Sequence, residues 1–336
     1  MILVGDIGGT HSRIALFSEE GGGLRLFCEN IYFSRDHRSL EEIIDIFLGK
    51  ESGNIQSACF GIAGPVLHGR VAASNLAWVV DAEELSRRTG VEAVWLVNDL
   101  EAHASGIDDL GADDLVSLNS ASQPGEGNAA LIAAGTGLGE AGMYWDGKRR
   151  RVFAGEGGHA DFAPRTDLEI ALHQYLMRKF GHVSCERVLS GPGLQNIYDF
   201  IRDSRTEEEP PWLKEEMSRS GEPVALIGKY GLEGKAAICE RALDTLAGIY
   251  GAEAGNLALK LLATGGVFIS GGIAAKILPK LRSSIFLEAF TAKGRMKGLL
   301  EAIPVKVIIN DKVGLIGAAR YAVTRRAENE SPVAAK

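Results

Sequence analysis

The chain has 336 residues, which at roughly 150 residues per domain makes two domains with separate cores and excludes a small stapled scaffold. Hydrophobic residues at 46% and charged residues at 24% mark a folded globular protein, not a disordered or fibrous one. The 36 basic and 44 acidic side chains leave a net charge of −8, which repels a phosphate backbone and removes nucleic acid from the expected partners.

The first element is an apolar strand, Ile2-Leu3-Val4, that breaks at Gly8-Gly9-Thr10 and resumes at Ile14 to Phe17, predicting a β-hairpin with a glycine-rich turn. Ser39 with Glu42, and Asp81 with Glu84, are helix N-terminal signatures, and Gly90 stops the second helix. Strands are expected at about 57 to 62 and 93 to 97. The opening grammar then repeats: Ala130 to Ala133, the turn Gly135-Thr136-Gly137-Leu138-Gly139, and Ala141 to Trp145. Two copies at this spacing predict a duplicated domain rather than a solenoid. Thr166 with Glu169 opens a helix that ends at Gly181, and another helix follows Pro192-Gly193. Residues 202 to 223, with Glu207-Glu208-Glu209-Pro210-Pro211, read as an exposed connection. Beyond it come two or three long helices, a strand over 266 to 270 ending in Gly271-Gly272, a strand over 305 to 309, a helix over 313 to 325 and a frayed end. Alternating strands and helices define an α/β fold.

No apolar run reaches the roughly 20 residues of a membrane span, and the first residues lack a basic start and a cleavage site. Cys28, Cys59, Cys185 and Cys239 are far apart, without a CxxC pair or a tetrahedral Cys/His spacing, so they are expected to be reduced and structural. The expectation is a cytoplasmic protein with no membrane partner.

Asp6 followed by Gly8-Gly9-Thr10 places a carboxylate at a strand end beside backbone N–H groups and a hydroxyl, all suited to a phosphate; a plain tight turn gives the same string. Gly135-Thr136-Gly137 repeats the feature, and two such turns are suited to one polyphosphate. Ser270-Gly271-Gly272 leaves room for a flat ring. Asn98 and Asp99 end an apolar strand, at the edge where open α/β sheets bind ligands, so Asp99 is either a base or the cap of the helix that begins near Leu100. Glu156 and His159 offer a hydrogen-bond acceptor and a donor-acceptor three residues apart in a glycine-rich loop, a pairing suited to vicinal sugar hydroxyls. Glu186 is a further carboxylate, and Asp161 is placed to brace His159.

The strings DIGGT, GTGLG and SGG, in this order, resemble the two phosphate segments and the adenosine segment of the sugar kinase, actin and heat-shock chaperone superfamily. Within it, LVNDLEAHA (96 to 104), GEGGHADFAP (155 to 164), HVSCERVLSGPGL (182 to 194) and GGVFISGGI (265 to 273) resemble the bacterial glucokinase family of the hexokinase group, nearly end to end. The resemblance implies a two-lobed actin-like ATPase fold of duplicated ribonuclease H-like domains with an interlobe cleft. Its small domain would span 1–109 plus about 309–325, its large domain 110–308, with a disordered tail at 326–336. It implies transfer of the γ-phosphoryl group of Mg-ATP to the C6 hydroxyl of glucose. Asp99 matches the catalytic base; Asn75, Asn98, Asp99, Glu156, His159 and Glu186 match the sugar side. Asp6, Gly8, Gly9, Thr10, His11, Gly135, Thr136, Gly137, Gly271 and Gly272 match the nucleotide side, with Asp6 near Mg²⁺ through water. A homodimer is the family-level expectation. His11 departs from the small polar residue expected after GGT. The related repressor and kinase family carries a CxCGxxGCxE zinc string after its histidine; here Ala160 to Pro164 follow His159, so no zinc is implied. The competing readings are a non-catalytic sugar-binding regulator, a superfamily ATPase serving a protein partner, and a kinase for a different hexose.

Overall fold

In the computed structural model, which describes residues 1–49, 54–73, 76–121 and 125–330, the first glycine-rich turn joins β1 (Ile2–Ile7) to β2 (His11–Glu20) as an antiparallel hairpin. The chain divides into two units, Met1–Asp114 with Asn310–Lys336, and Leu115–Ile309. In the first, β3 (Gly23–Phe33) extends the hairpin, while β4 (Ser57–Ile62) and β8 (Ala93–Asn98) run parallel to β1, giving the order β3-β2-β1-β4-β8. Between β4 and β8 the strands β5 (Val66–Leu67), β6 (Arg70–Ala72) and β7 (Val79–Asp81) form a small separate sheet.

Helices α1 (Leu40–Leu48), α2 (Ala82–Thr89) and α3 (Asp99–Ser105) belong to this unit. The capping residues behave as their chemistry dictates. Ser39 accepts from the Glu42 N–H, and Asp81 accepts from the N–H groups of Glu83 and Glu84. Gly90 ends α2 with φ 71°, a conformation that favours glycine. Apolar residues of α1 and β4, among them Ile43, Ile44, Phe47 and Phe60, are fully buried in one core.

The second unit holds β9 (Leu115–Ser117), β10 (Ala129–Ala134), β11 (Leu138–Trp145), β12 (Arg150–Gly155), β13 (Val267–Ser270) and β14 (Val305–Ile308). Their order is β12-β11-β10-β13-β14-β9, with β10, β13 and β14 parallel and the other pairs antiparallel. Two antiparallel strands followed by three parallel ones thus recur in both sheets, so the repeat seen in the glycine turns is a repeat of whole sheets. Helices α4 (Asp167–Phe180), α5 (Gly191–Asp203), α6 (Pro211–Arg219), α7 (Pro223–Leu232) and α8 (Ala237–Leu261) follow β12. The shorter α9 (Gly272–Lys276), α10 (Leu278–Leu281), α11 (Ser284–Thr291) and α12 (Lys297–Ala302) follow β13. The 25-residue α8 buries apolar residues on most of its faces, as a central core helix must.

Two expectations change. The stretch read as an exposed connection contains α6, whose Leu213 is fully buried; Pro210 and Pro211 start that helix, since a first-turn residue needs no N–H donor. The last helix, α13 (Val313–Glu330), runs past residue 325, so 326–330 are helical rather than part of a disordered tail. α13 returns to the first unit, where Gly317 meets Ala102 and Gly106 of the α3 region backbone to backbone. No helix among the described residues is long and apolar enough to cross a membrane. Cys59, Cys185 and Cys239 are buried and Cys28 is half-buried, and none of the four is in a disulfide among the described residues.

Beneath the second sheet, the fully buried Tyr250 of α8 spans two parallel strands. Its hydroxyl accepts from the Ala134 N–H at 3.2 Å and faces the Ser270 and Ile132 carbonyls at 3.2 and 3.4 Å. Tyr250→Phe removes these hydrogen bonds and should cost about 0.5–1.5 kcal/mol in urea unfolding. A variant as stable as the parent would show that the hydroxyl holds nothing.

Candidate active site

Sheet register sets the site in each unit. Ile7, Ile62 and Asn98 are paired across the parallel strands β1, β4 and β8, so the Gly8-Gly9-Thr10 turn and Asp99 emerge from one sheet edge. They are two strand spacings apart, about 10 Å. The turn is fixed from inside: Gly8 N–H donates to the His11 carbonyl at 3.0 Å, the Ser34 hydroxyl donates to the Gly8 carbonyl at 2.7 Å, and Ser34 N–H donates to the Thr10 carbonyl at 2.9 Å. Among the described residues nothing accepts from the N–H groups of Gly9 and Thr10, which leaves two donors for an anion. His11 lies on the surface, its ring 5.0 Å from that of Phe33.

Asn98, not Asp99, is the N-cap of α3: its Oδ1 accepts from the Leu100 N–H at 2.9 Å, and its Nδ2 donates to the Gly64 carbonyl at 3.2 Å. Asp99 is therefore relieved of the capping task, although its Oδ1 also accepts from the Leu100 N–H. Burial, with the Asp6 carboxylate beside it, raises the Asp99 pKa above the ordinary aspartate range, and His103 opposes the shift. His103 is a neighbour of the candidate site that the sequence reading did not single out. Its position four residues after Asp99 on one helix was the available signal. A Cβ at Gly314, in the first turn of α13, would be 2.9 Å from Asp6 Oδ2 and 3.0 Å from His103 Nε2, so only glycine lets α13 come this close. Asn75 lies outside the described residues.

In the second unit Ala133 pairs with Ser270 across parallel strands, which sets Gly271 beside Ala134, at the start of the Gly135-Thr136-Gly137 turn. Gly271 has φ 89°, and a Cβ there would overlap the Ala134 carbonyl; Gly272 is open. Gly135 N–H donates to the Gly137 carbonyl at 2.8 Å and the Gly135 carbonyl accepts from Gly191 N–H at 2.8 Å, so the first residue of α5 is docked onto this turn. Thr136 is exposed at its tip.

Glu156, His159 and Glu186, expected on the sugar side, gather around the start of β11. Gly157–His159 is a short 3₁₀ turn, with His159 Nε2 3.9 Å from Glu156 Oε2 and both side chains exposed. Glu186 is on a second such turn, Cys185–Arg187, and its Oε2 accepts from the Leu138 N–H at 3.0 Å, against Gly137. Glu156, His159, Glu186 and the second glycine turn therefore form one neighbourhood. Asp161 does not brace His159: its Oδ1 is 2.8 Å from His182 Nε2. Among the described residues no group of three or more His, Cys, Asp or Glu is placed to hold a metal ion.

The Glucokinase family model matches residues 3–325. A glucokinase of Nostoc punctiforme is 43% identical over 333 residues, 95% of this chain and 98% of its own. The crystal structure of a glucokinase from an Antarctic psychrotroph superposes with a TM-score of 0.83 at 29% identity, covering 96% of this chain and 98% of that one. A ROK family glucokinase from Streptomyces griseus, solved in complex with glucose and AMPPNP, has the same fold, with a TM-score of 0.66 at 24% identity over 96% and 99% of the two chains. The duplicated sheets are accordingly those of the actin-like ATPase fold. The chain belongs to the glucokinase family, the enzymes that phosphorylate glucose.

Proposed function

We propose that the chain transfers the γ-phosphoryl group of ATP to the C6 hydroxyl of glucose, with Asp99 as the general base. The observation that carries this reading is the shared sheet edge: a half-buried carboxylate with a raised pKa stands on the same rim as a glycine turn with two N–H donors that have no partner among the described residues. The base takes the hydroxyl proton as the oxygen attacks, and holding that oxygen in line with the terminal phosphate lowers most of the barrier. The turns at 8–10 and 135–137 serve the phosphates, and Gly271-Gly272 serves the adenosine. Glu156, His159 and Glu186 hold the sugar hydroxyls, joined by Asn75 and by the Asn98 side chain. Glu186 keeps Oε1 for the sugar while Oε2 is tied to Leu138.

The S. griseus protein was solved with glucose and AMPPNP, and the proposal gives this chain glucose and ATP. The residues present suit Mg²⁺ carried by the nucleotide, because that ion ordinarily takes one or two carboxylates and completes its shell with phosphates and water. Asp6 would hold it through water, and the ion would neutralise charge on the phosphates. The reading extends to a cytoplasmic homodimer. ADP release from ATP, followed with and without a panel of hexoses, tests it: activity should depend on glucose and be greatest in kcat/KM for it. Sugar-independent hydrolysis, or glucose binding without ADP release, would contradict it.

A further inference from the structure

Under the turn that carries Glu156 and His159 lies a carboxyl group that the proposed chemistry does not use. Glu140, in β11, is 4% exposed, and its Oε1 has no hydrogen-bond partner. Its Oε2 occupies the space that a Gly157 side chain would need, and Gly158 is equally close to the Leu138 carbonyl. The 3₁₀ turn thus rests flush on β11, with Glu140 as its seat. Glu253 of α8, 6% exposed, also has an Oε1 without a hydrogen-bond partner. Asn256 Nδ2 donates to its Oε2 at 2.9 Å, and Lys260 Nζ is 3.6 Å from Oε1. The Cys185 thiol, which opens the turn bearing Glu186, completes the group and donates to the Asp161 carbonyl at 3.6 Å. Burial and the Glu253 charge push the Glu140 carboxyl up to about 7, with Lys260 opposing, and burial and both glutamates push the thiol up.

A buried carboxylate with an orphan oxygen is costly to ionise, and the Glu253 charge adds to that cost, so Glu140 is favoured as the neutral acid. We propose that Glu140 is a positioning residue for hexose binding: as a neutral acid it seats the 156–159 turn, and loss of its proton, which leaves a buried charge without a partner under Gly157, unseats the turn and weakens binding. The proposal rests on Glu156 and His159 as hexose ligands. Among the described residues the other titratable and charged groups facing Glu140 are Glu253 and Lys260 of α8 and Cys185 of the neighbouring turn.

The test is glucose affinity by calorimetry against pH. In the parent protein the dissociation constant should rise by up to about tenfold between pH ~6 and ~8, the ceiling for linkage to one proton with a midpoint near 7. Glu140→Gln carries a neutral group at every pH and should flatten that limb. A Glu140→Gln variant that keeps the parental limb overturns the proposal. If the variant does not fold, the Gly157 amide resonance of the parent decides: it should titrate with a midpoint near 7, and a resonance that stays fixed from pH ~6 to ~8.5 overturns the proposal. Glu156→Gln and His159→Ala separate the two ideas. Undiminished glucose binding in both sinks the hexose reading and this proposal with it. Lost binding in both, with the limb intact in Glu140→Gln, overturns this proposal alone.

Discussion

Asp99→Asn should lower kcat about 10²- to 10⁴-fold, the usual effect of removing a general base, and move the glucose dissociation constant by less than about threefold. Asparagine is the informative replacement because it keeps an Oδ1 to accept from the Leu100 N–H, so the start of α3 survives. The base works only as the carboxylate. With a pKa raised above the aspartate reference of 3.8, kcat of the parent should therefore fall on acidification at a pH above that reference, and the fall should vanish in the variant. A variant that retains turnover within about tenfold of the parent would remove Asp99 from the chemistry.

Gly317→Ala should be among the most destabilising single methyl additions in the first unit. A Cβ there would overlap the Ala102 carbonyl and lie 2.8 Å from the Gly106 amide nitrogen, and Gly106 in turn has no room for a Cβ against Val313 and Gly317. These neighbours are backbone, which does not swing aside as a side chain does, so the helices must part. Overpacking of this kind costs about 3 kcal/mol, or roughly 6–12 °C in the thermal midpoint. Because Gly314 of the same helix lies against Asp6 and His103, separation of α13 should also reduce kcat. An unchanged melting temperature would mean that the crossing is looser than these contacts require.

What could be read in the sequence was what local chemistry writes there. The glycine turns, the capped starts of α1, α2 and α4, and the apolar parallel strands depend on neighbours within a few residues, and the structure contains each of them. β3 was not legible, because an edge strand with Phe27, Ile31 and Phe33 exposed lacks a buried alternating face. α6 was hidden by prolines that more often break a helix than start one. Among the candidate site residues, Asp6, Asn98, Asp99, Glu156, His159 and Glu186 stood out from their strings, but their partners did not. That Asp161 pairs with His182, that Asn98 takes the capping role, and that Glu140 lies under Gly157 follow from sheet register and turn packing. A carboxylate in an apolar strand carries no sign of what folds over it.

The most direct measurement is the distance from the Asp99 carboxylate to the glucose C6 oxygen in crystals grown with glucose and AMPPNP. General-base catalysis predicts about 2.6–3.2 Å, with the C6 oxygen turned towards the terminal phosphate. Glucose bound with another hydroxyl at Asp99, or with its C6 oxygen beyond hydrogen-bond reach and no bridging water, would contradict the account.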